Sequence, residues 1–204
     1  MKLETSNTVK LVISDLERLD PITVFLEDLG RRECPTDKDP HYWTGQGKLT
    51  ISCYGKSWTC YWGGMGQRSL AQFVVDCHTE YVLNCLDRGI QSKKFSGSAL
   101  VELAKKCILQ RRRQQTGRHD WELGELSKFE ARELWHDCEG LSDVETPNEC
   151  WHRDKILTEL FGAEWHYTVG DKAQEENHEY TYLERIVLAT QQGIALYLEQ
   201  LKHE

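Results

Sequence analysis

A chain of 204 residues with 39% hydrophobic and 28% charged side chains is long enough to bury a core and too apolar to stay disordered, so it reads as one compact domain or one domain with a short appendage. The formal net charge of −8 argues against a general nucleic-acid binder, because phosphate binding draws on excess positive charge. No apolar run approaches the roughly 20 residues that cross a bilayer, and the opening MKLETSNTVKLVISDLERLD is interrupted by charge before the core of an export signal can form. The expected location is therefore the cytoplasm.

Residues 8–14 (TVKLVIS) and 22–26 (ITVFL) are rich in β-branched side chains and predict two strands, with Asp20-Pro21 as the break between them. From Gly30 to Gly47 the chain holds Pro35, Pro40 and many charges with neither helical nor strand period, which predicts an exposed excursion. Residues 48–62 alternate, placing Leu49, Ile51 and Cys53 on one face and Trp58, Cys60 and Trp62 after a break at Gly55-Lys56, the pattern of a hairpin. Gly63, Gly64 and Gly66 close it, since glycine tolerates the positive φ of tight turns.

The period then becomes helical. Ser69 and Gln72 have capping-box spacing ahead of Phe73, Val74, Cys77, Tyr81, Leu83 and Cys85, with Gly89 as the stop after about Arg88. Ser98 is read as opening a second helix through Leu100, Leu103, Cys107 and Ile108 toward a basic tail near Gly117. Ser127 and Glu130 repeat the capping box before a third helix that Gly140 should end. Thr146-Pro147-Asn148-Glu149 adds proline at the first helical position, where its missing N–H costs nothing, ahead of a helix toward Phe161 with Gly162 beyond. Tyr182, Leu183, Ile186, Val187, Thr190, Ile194, Leu198 and Leu201 give a long amphipathic C-terminal helix. Strands first and helices after predict an α+β fold, a small N-terminal antiparallel sheet of about four strands followed by a helical C-terminal half. The expected division is residues 1–126, the sheet plus two helices, and residues 127–204, an acidic helical region packed on the same core.

Charge is segregated along the chain. Residues 91–128 hold 9 basic and 4 acidic side chains, whereas residues 129–204 hold 6 and 17. A field of that sign repels nucleic acid and attracts basic surfaces. The acidic candidates for partner binding are Glu130, Glu133, Asp137, Glu139, Asp143, Glu145, Glu175, Glu176 and Glu179; the competing reading is a set of solvated helix faces. Lys105, Lys106, Arg111, Arg112, Arg113 and Arg118 form a basic cluster. Together with the tryptophans Trp43, Trp58, Trp62, Trp121, Trp135, Trp151 and Trp165, it could serve nucleic acid or a partner, bases stacking on aromatic faces above a cationic track; core packing is the preferred reading for the strand tryptophans.

Catalytic signatures are missing. Gly55-Lys56-Ser57 lacks the earlier glycine of a phosphate loop, position 50 being Thr, and it lies in a strand pair rather than before a helix. Cys77-His78 are neighbours whose side chains diverge on a helix, whereas catalytic dyads are assembled from distant segments. The eight cysteines, Cys34, Cys53, Cys60, Cys77, Cys85, Cys107, Cys138 and Cys150, contain no CxxC pair and are read as reduced, mostly packing residues. His136, Cys138, Cys150 and His152 form an H-x-C…C-x-H set of residue types that suit tetrahedral zinc, but one-residue separations point side chains about 100° apart on a helix. No cofactor is expected, with zinc as the one ion to test.

The segments Leu19-Asp20-Pro21-Ile22-Thr23-Val24, Ile51-Ser52-Cys53-Tyr54-Gly55-Lys56-Ser57-Trp58 and Tyr61-Trp62-Gly63-Gly64-Met65-Gly66 resemble a family of small accessory proteins from temperate phages and prophages of enteric bacteria. Gly162-Ala163-Glu164-Trp165 and Tyr180-Thr181-Tyr182-Leu183 are similar to it as well. The chain departs from that family between Gly30 and Gly47, where a shorter connection is expected. The resemblance implies a non-enzymatic phage accessory role in the host cytoplasm. The expected action is inhibition of a host defence complex, of anti-CRISPR or anti-restriction type, by direct binding to its basic, nucleic-acid-handling surface. DNA binding in phage replication or recombination is the alternative.

Overall fold

A computed structural model describes residues 3, 8–34, 41–113 and 123–203. Its N-terminal sheet has four antiparallel strands in sequential order, β1 (Val9–Ile13), β2 (Ile22–Glu33), β3 (Trp43–Cys53) and β4 (Lys56–Trp62). The α+β class and the strands-then-helices order expected from the sequence are what the fold has. Ile22, Val24, Leu26, Leu49, Ile51, Cys60 and Trp62 alternate onto the buried face. The opposite face carries polar rungs, Thr50 Oγ1 to Thr59 Oγ1 at 3.0 Å and Ser52 Oγ to Ser57 Oγ at 2.7 Å, the division of labour of a sheet with one wet side. Between β3 and β4 the turn is Tyr54-Gly55, with φ of 47° and 76°. Two consecutive positive values make the primed turn whose twist matches a tight hairpin.

The excursion predicted from Gly30 to Gly47 is shorter in the structure. Arg31, Arg32 and Glu33 pair with Gly45, Thr44 and Trp43, past an irregularity between Asp28 and Arg31. An extra loop residue at a bulge breaks the alternation that marks a strand, which hid these rungs.

Helices α1 (Leu70–Asp76) and α2 (Thr79–Leu86) follow. The Ser69–Gln72 capping box is formed, with Gln72 N–H donating to Ser69 Oγ at 3.3 Å and Ser69 N–H to Gln72 Oε1 at 3.1 Å. The single helix expected through Arg88 is two, because Cys77 and His78 are extended. Gln191 on the C-terminal helix α7 (His178–His203) holds this break open: its Nε2 donates to Val74 O at 2.9 Å and Cys77 O at 2.8 Å, while its Oε1 accepts from Thr79 Oγ1 at 2.8 Å.

The chain divides into two compact units. Residues 1–90 and 178–204 form the first, and residues 91–177 form the second, each with a separate buried cluster. This differs from the expected boundary after residue 126 and from a shared core. Residues 178–204 complete the core of the sheet unit, where Leu183, Ile186, Val187 and Ile194 join the inner face of the sheet.

The second unit is built around α3 (Gly97–Arg112), with α4 (Lys128–Asp137), 3₁₀ segments Cys138–Asp143 and Pro147–Arg153, α5 (Asp154–Phe161) and α6 (Trp165–Lys172). A two-stranded antiparallel ladder, β5 (Lys93–Phe95) with β6 (Gln174–Glu176), has no period visible in KKF or QEE. Ser96, not Ser98, caps α3, accepting from Ala99 N–H at 3.4 Å. Gly97 is required by close packing: a Cβ there would lie 2.5 to 2.8 Å from the carbonyl oxygens of Ser142, Val144 and Leu141.

Candidate partner-binding groove

The capping box at Ser127 sets the start of α4. Ser127 N–H donates to Glu130 Oε2 at 2.7 Å, and Glu130 N–H donates to Ser127 Oγ at 3.2 Å. Hydrogen bonds from the Ser127 side chain and from its backbone N–H hold the Glu130 carboxyl below the usual carboxylate range, because the charged acceptor is the favoured form. Glu130, Glu133 and Asp137 are spaced i, i+3 and i+7, one stripe of a helix with about 4.5 and 6 Å of rise between successive carboxylates. With Glu159 from α5 they line a concavity of about 780 Å³ whose wall includes Trp135. Arg132 lines it too, but Glu130, Glu133, Asp137 and Glu159 are all exposed, so the groove presents net negative charge to solvent.

The other acidic candidates are distributed differently. Glu139 pairs with His136 Nδ1 at 3.8 Å, and Asp143 accepts from Ser142 Oγ at 3.3 Å. The backbone N–H of Glu145 donates to Glu149 Oε2 at 2.9 Å; that bond, with one from Thr146, lowers the Glu149 carboxyl from its ordinary range. Glu175 pairs with Lys94 at 3.6 Å, and Glu176 stands opposite Lys93 across the small ladder. Glu179 belongs to the sheet unit, where it pairs with Lys56 at 3.7 Å. The groove on α4 and α5 thus gathers Glu130, Glu133 and Asp137 of the nine, and it recruits Glu159, which is distant in sequence and could be found only from the packing of α5.

The basic cluster needs a larger correction. Arg111 is 6% exposed and its guanidinium donates to the carbonyls of Gly124 at 3.2 Å, Glu159 at 2.7 Å and Leu123. It is a clasp inside the unit, not a contact for nucleic acid; a planar five-donor group suits three carbonyls arriving from separate segments. Lys105 lies with Nζ 5.3 Å from the centre of the Trp135 ring. Lys106, Arg112 and Arg113 are exposed. Arg118 and Trp121 lie outside the described residues.

His136, Cys138, Cys150 and His152 do not form a coordination set. Cys138 and Cys150 are buried, with thiols pushed up by desolvation, and Cys138 Sγ–H donates to Trp135 O at 3.2 Å. His136 and His152 are exposed. Among the described residues no group of three His, Cys, Asp or Glu side chains is arranged to hold a metal ion. Cys77, the other chemically suggestive residue, has its thiol raised chiefly by burial, the direction opposite to activation of a nucleophile.

The Phage_phiTE_072 family model, described as a phage family, matches residues 1–195. The chain belongs to this phage family. No curated protein and no solved structure matches it. Membership establishes the phage protein's kind of origin and assigns no role to individual residues. No helix among the described residues is long and apolar enough to cross a membrane.

Proposed function

We propose that this phage protein acts by binding rather than catalysis, as an inhibitor of a host defence complex of anti-CRISPR or anti-restriction type in a bacterial cytoplasm, and that temperate phages of enteric bacteria are its source. The reading rests on one observation, the carboxylate groove of α4 and α5 with Glu130, Glu133, Asp137 and Glu159 on its walls. A carboxylate stripe at helical spacing imitates the charge of a phosphate backbone and suits the arginines and lysines with which a nucleic-acid-handling surface is lined. Trp135 supplies an aromatic wall against which an entering guanidinium can pack. Neither zinc nor any other cofactor is part of the proposal.

The test is capture from a nuclease-treated bacterial lysate with the tagged protein, side by side with the Glu133→Lys/Asp137→Lys variant. A stoichiometric complex retained by the wild type, released as salt is raised and lost in the variant is the expected result. Retention that is indifferent to both salt and charge reversal overturns the reading, since exposed charge pairs weaken with ionic strength.

A further inference from the structure

Trp135 also lines a second concavity of about 520 Å³, formed with Glu102, Lys105, Lys106, Leu109 and Gln110 of α3 and with Arg113, which follows that helix. We propose that this groove binds the phosphodiester backbone of nucleic acid, giving the protein a second binding site of opposite sign to the first. The proposal does not depend on what occupies the acidic groove.

Three observations carry it. First, Lys105, Lys106 and Arg113 line one concave surface, so their fields add where a chain of phosphates would lie and outweigh the one carboxylate there, Glu102. Second, Lys105 is held against the Trp135 face at 5.3 Å. A lysine already ordered by an aromatic ring loses less freedom when it meets a phosphate than one that must be immobilised on binding. Third, Gln110 adds an amide that can donate to a phosphate oxygen or a base edge. Arg111 is excluded by its burial, so the set differs from the run of six basic residues in the sequence. The bland alternative is that these cations only complement the C-terminal end of α3, whose carbonyls favour positive charge.

Fluorescence anisotropy of a 5′-labelled oligothymidylate of about 20 nucleotides tests the proposal with the intact protein, such a strand being longer than the stretch one small groove covers. Saturable binding is expected at low salt, weakening about 20-fold from 50 to 200 mM salt if three cations meet phosphate. Lys106→Glu/Arg113→Glu is expected to weaken it at least tenfold, with circular dichroism confirming the fold, while Glu133→Lys/Asp137→Lys leaves it intact or strengthens it. Absence of an anisotropy change at ~10⁻⁴ M protein, the weak end of non-specific binding, overturns the proposal, as does binding unaffected by the α3 reversal. Capture of a host complex by wild type but not by the acidic-groove variant reports on the first site alone, so the two readings fail separately.

Discussion

The sheet unit and the 91–177 unit solve the same packing problem with different chemistry. Among the described residues of the sheet unit the buried polar side chains are neutral, Thr44 and Thr190, and the remainder of the core is apolar. The 91–177 unit buries a full positive charge, Arg111, and uses it to tie α3 to carbonyls near residues 123–124 and at 159. A sheet brings its own ladder of backbone hydrogen bonds to hold distant segments together, whereas short helices and 3₁₀ turns leave carbonyls at their ends that need outside donors. The second unit therefore depends on a buried charged side chain, and the first depends chiefly on area and shape, with the neutral amide of Gln191 bridging α1 and α2.

The sharpest way to break this comparison is to remove the clasp. Arg111→Met should lower stability by about 3 kcal/mol or more in urea denaturation, because several buried carbonyls lose their donor at about 1–3 kcal/mol each. The neighbouring exposed Arg112→Met should stay within about 0.5 kcal/mol. Equal effects for the two would remove the distinction. On the other side, Ile51→Ala, at a fully buried sheet position, should cost about 2–5 kcal/mol through the cavity it opens.

Titration sharpens the contrast. The Cys60 thiol is pushed up to about 11, chiefly by burial and then by Cys85, and the Tyr182 hydroxyl to about 12, chiefly by its hydrogen bond with Cys53; both belong to the sheet unit. For an acid raised in the folded state, the stabilisation is full below the unfolded pKa and is lost as pH rises through the folded one. Denaturation of the sheet unit should therefore set in as pH climbs from about 8.5, an ordinary thiol's value, through about 11. Glu130 and Glu149, the carboxylates held low by cap hydrogen bonds, lie in the 91–177 unit. Their contribution is present above the ordinary glutamate value and disappears as pH falls through the lower folded one. Amide exchange followed at high and low pH should place the first opening in β4 and α7 under alkali and in α4 under acid.

Two smaller changes probe local features. Ser69→Ala should cost about 1 kcal/mol by deleting the α1 cap. Tyr54→Asn should be neutral or stabilising by a few tenths of a kcal/mol, since asparagine accepts the positive φ that tyrosine holds at 47°.

The features legible in the sequence were those encoded over a few residues. The hairpin announces itself through alternation from Leu49 to Trp62, and the capping boxes at Ser69 and Ser127 are read from two side chains three positions apart. Arg111 looked like its neighbours because its burial is decided by carbonyls up to 48 positions away. Ser98 was the plausible cap until Gly97, with no space for a Cβ, fixed the start of α3 at Ser96. The candidate groove was half visible: the Glu130, Glu133, Asp137 stripe follows from helical period, but Glu159 enters through the packing of α5 against α4. Membership of residues 178–204 in the first core was illegible because an amphipathic helix fits either apolar partner.

Gln191 closes the gap between α1 and α2 from the far end of the chain. On the ribosome, the extended Cys77-His78 link must wait for more than a hundred further residues before its carbonyls find that side chain. At ~5–20 residues per second, this is a delay of about 5–20 s, in which all of residues 91–177 are synthesised. The nascent sheet must therefore remain soluble with part of its apolar face uncovered until α7 emerges and acts as its lock.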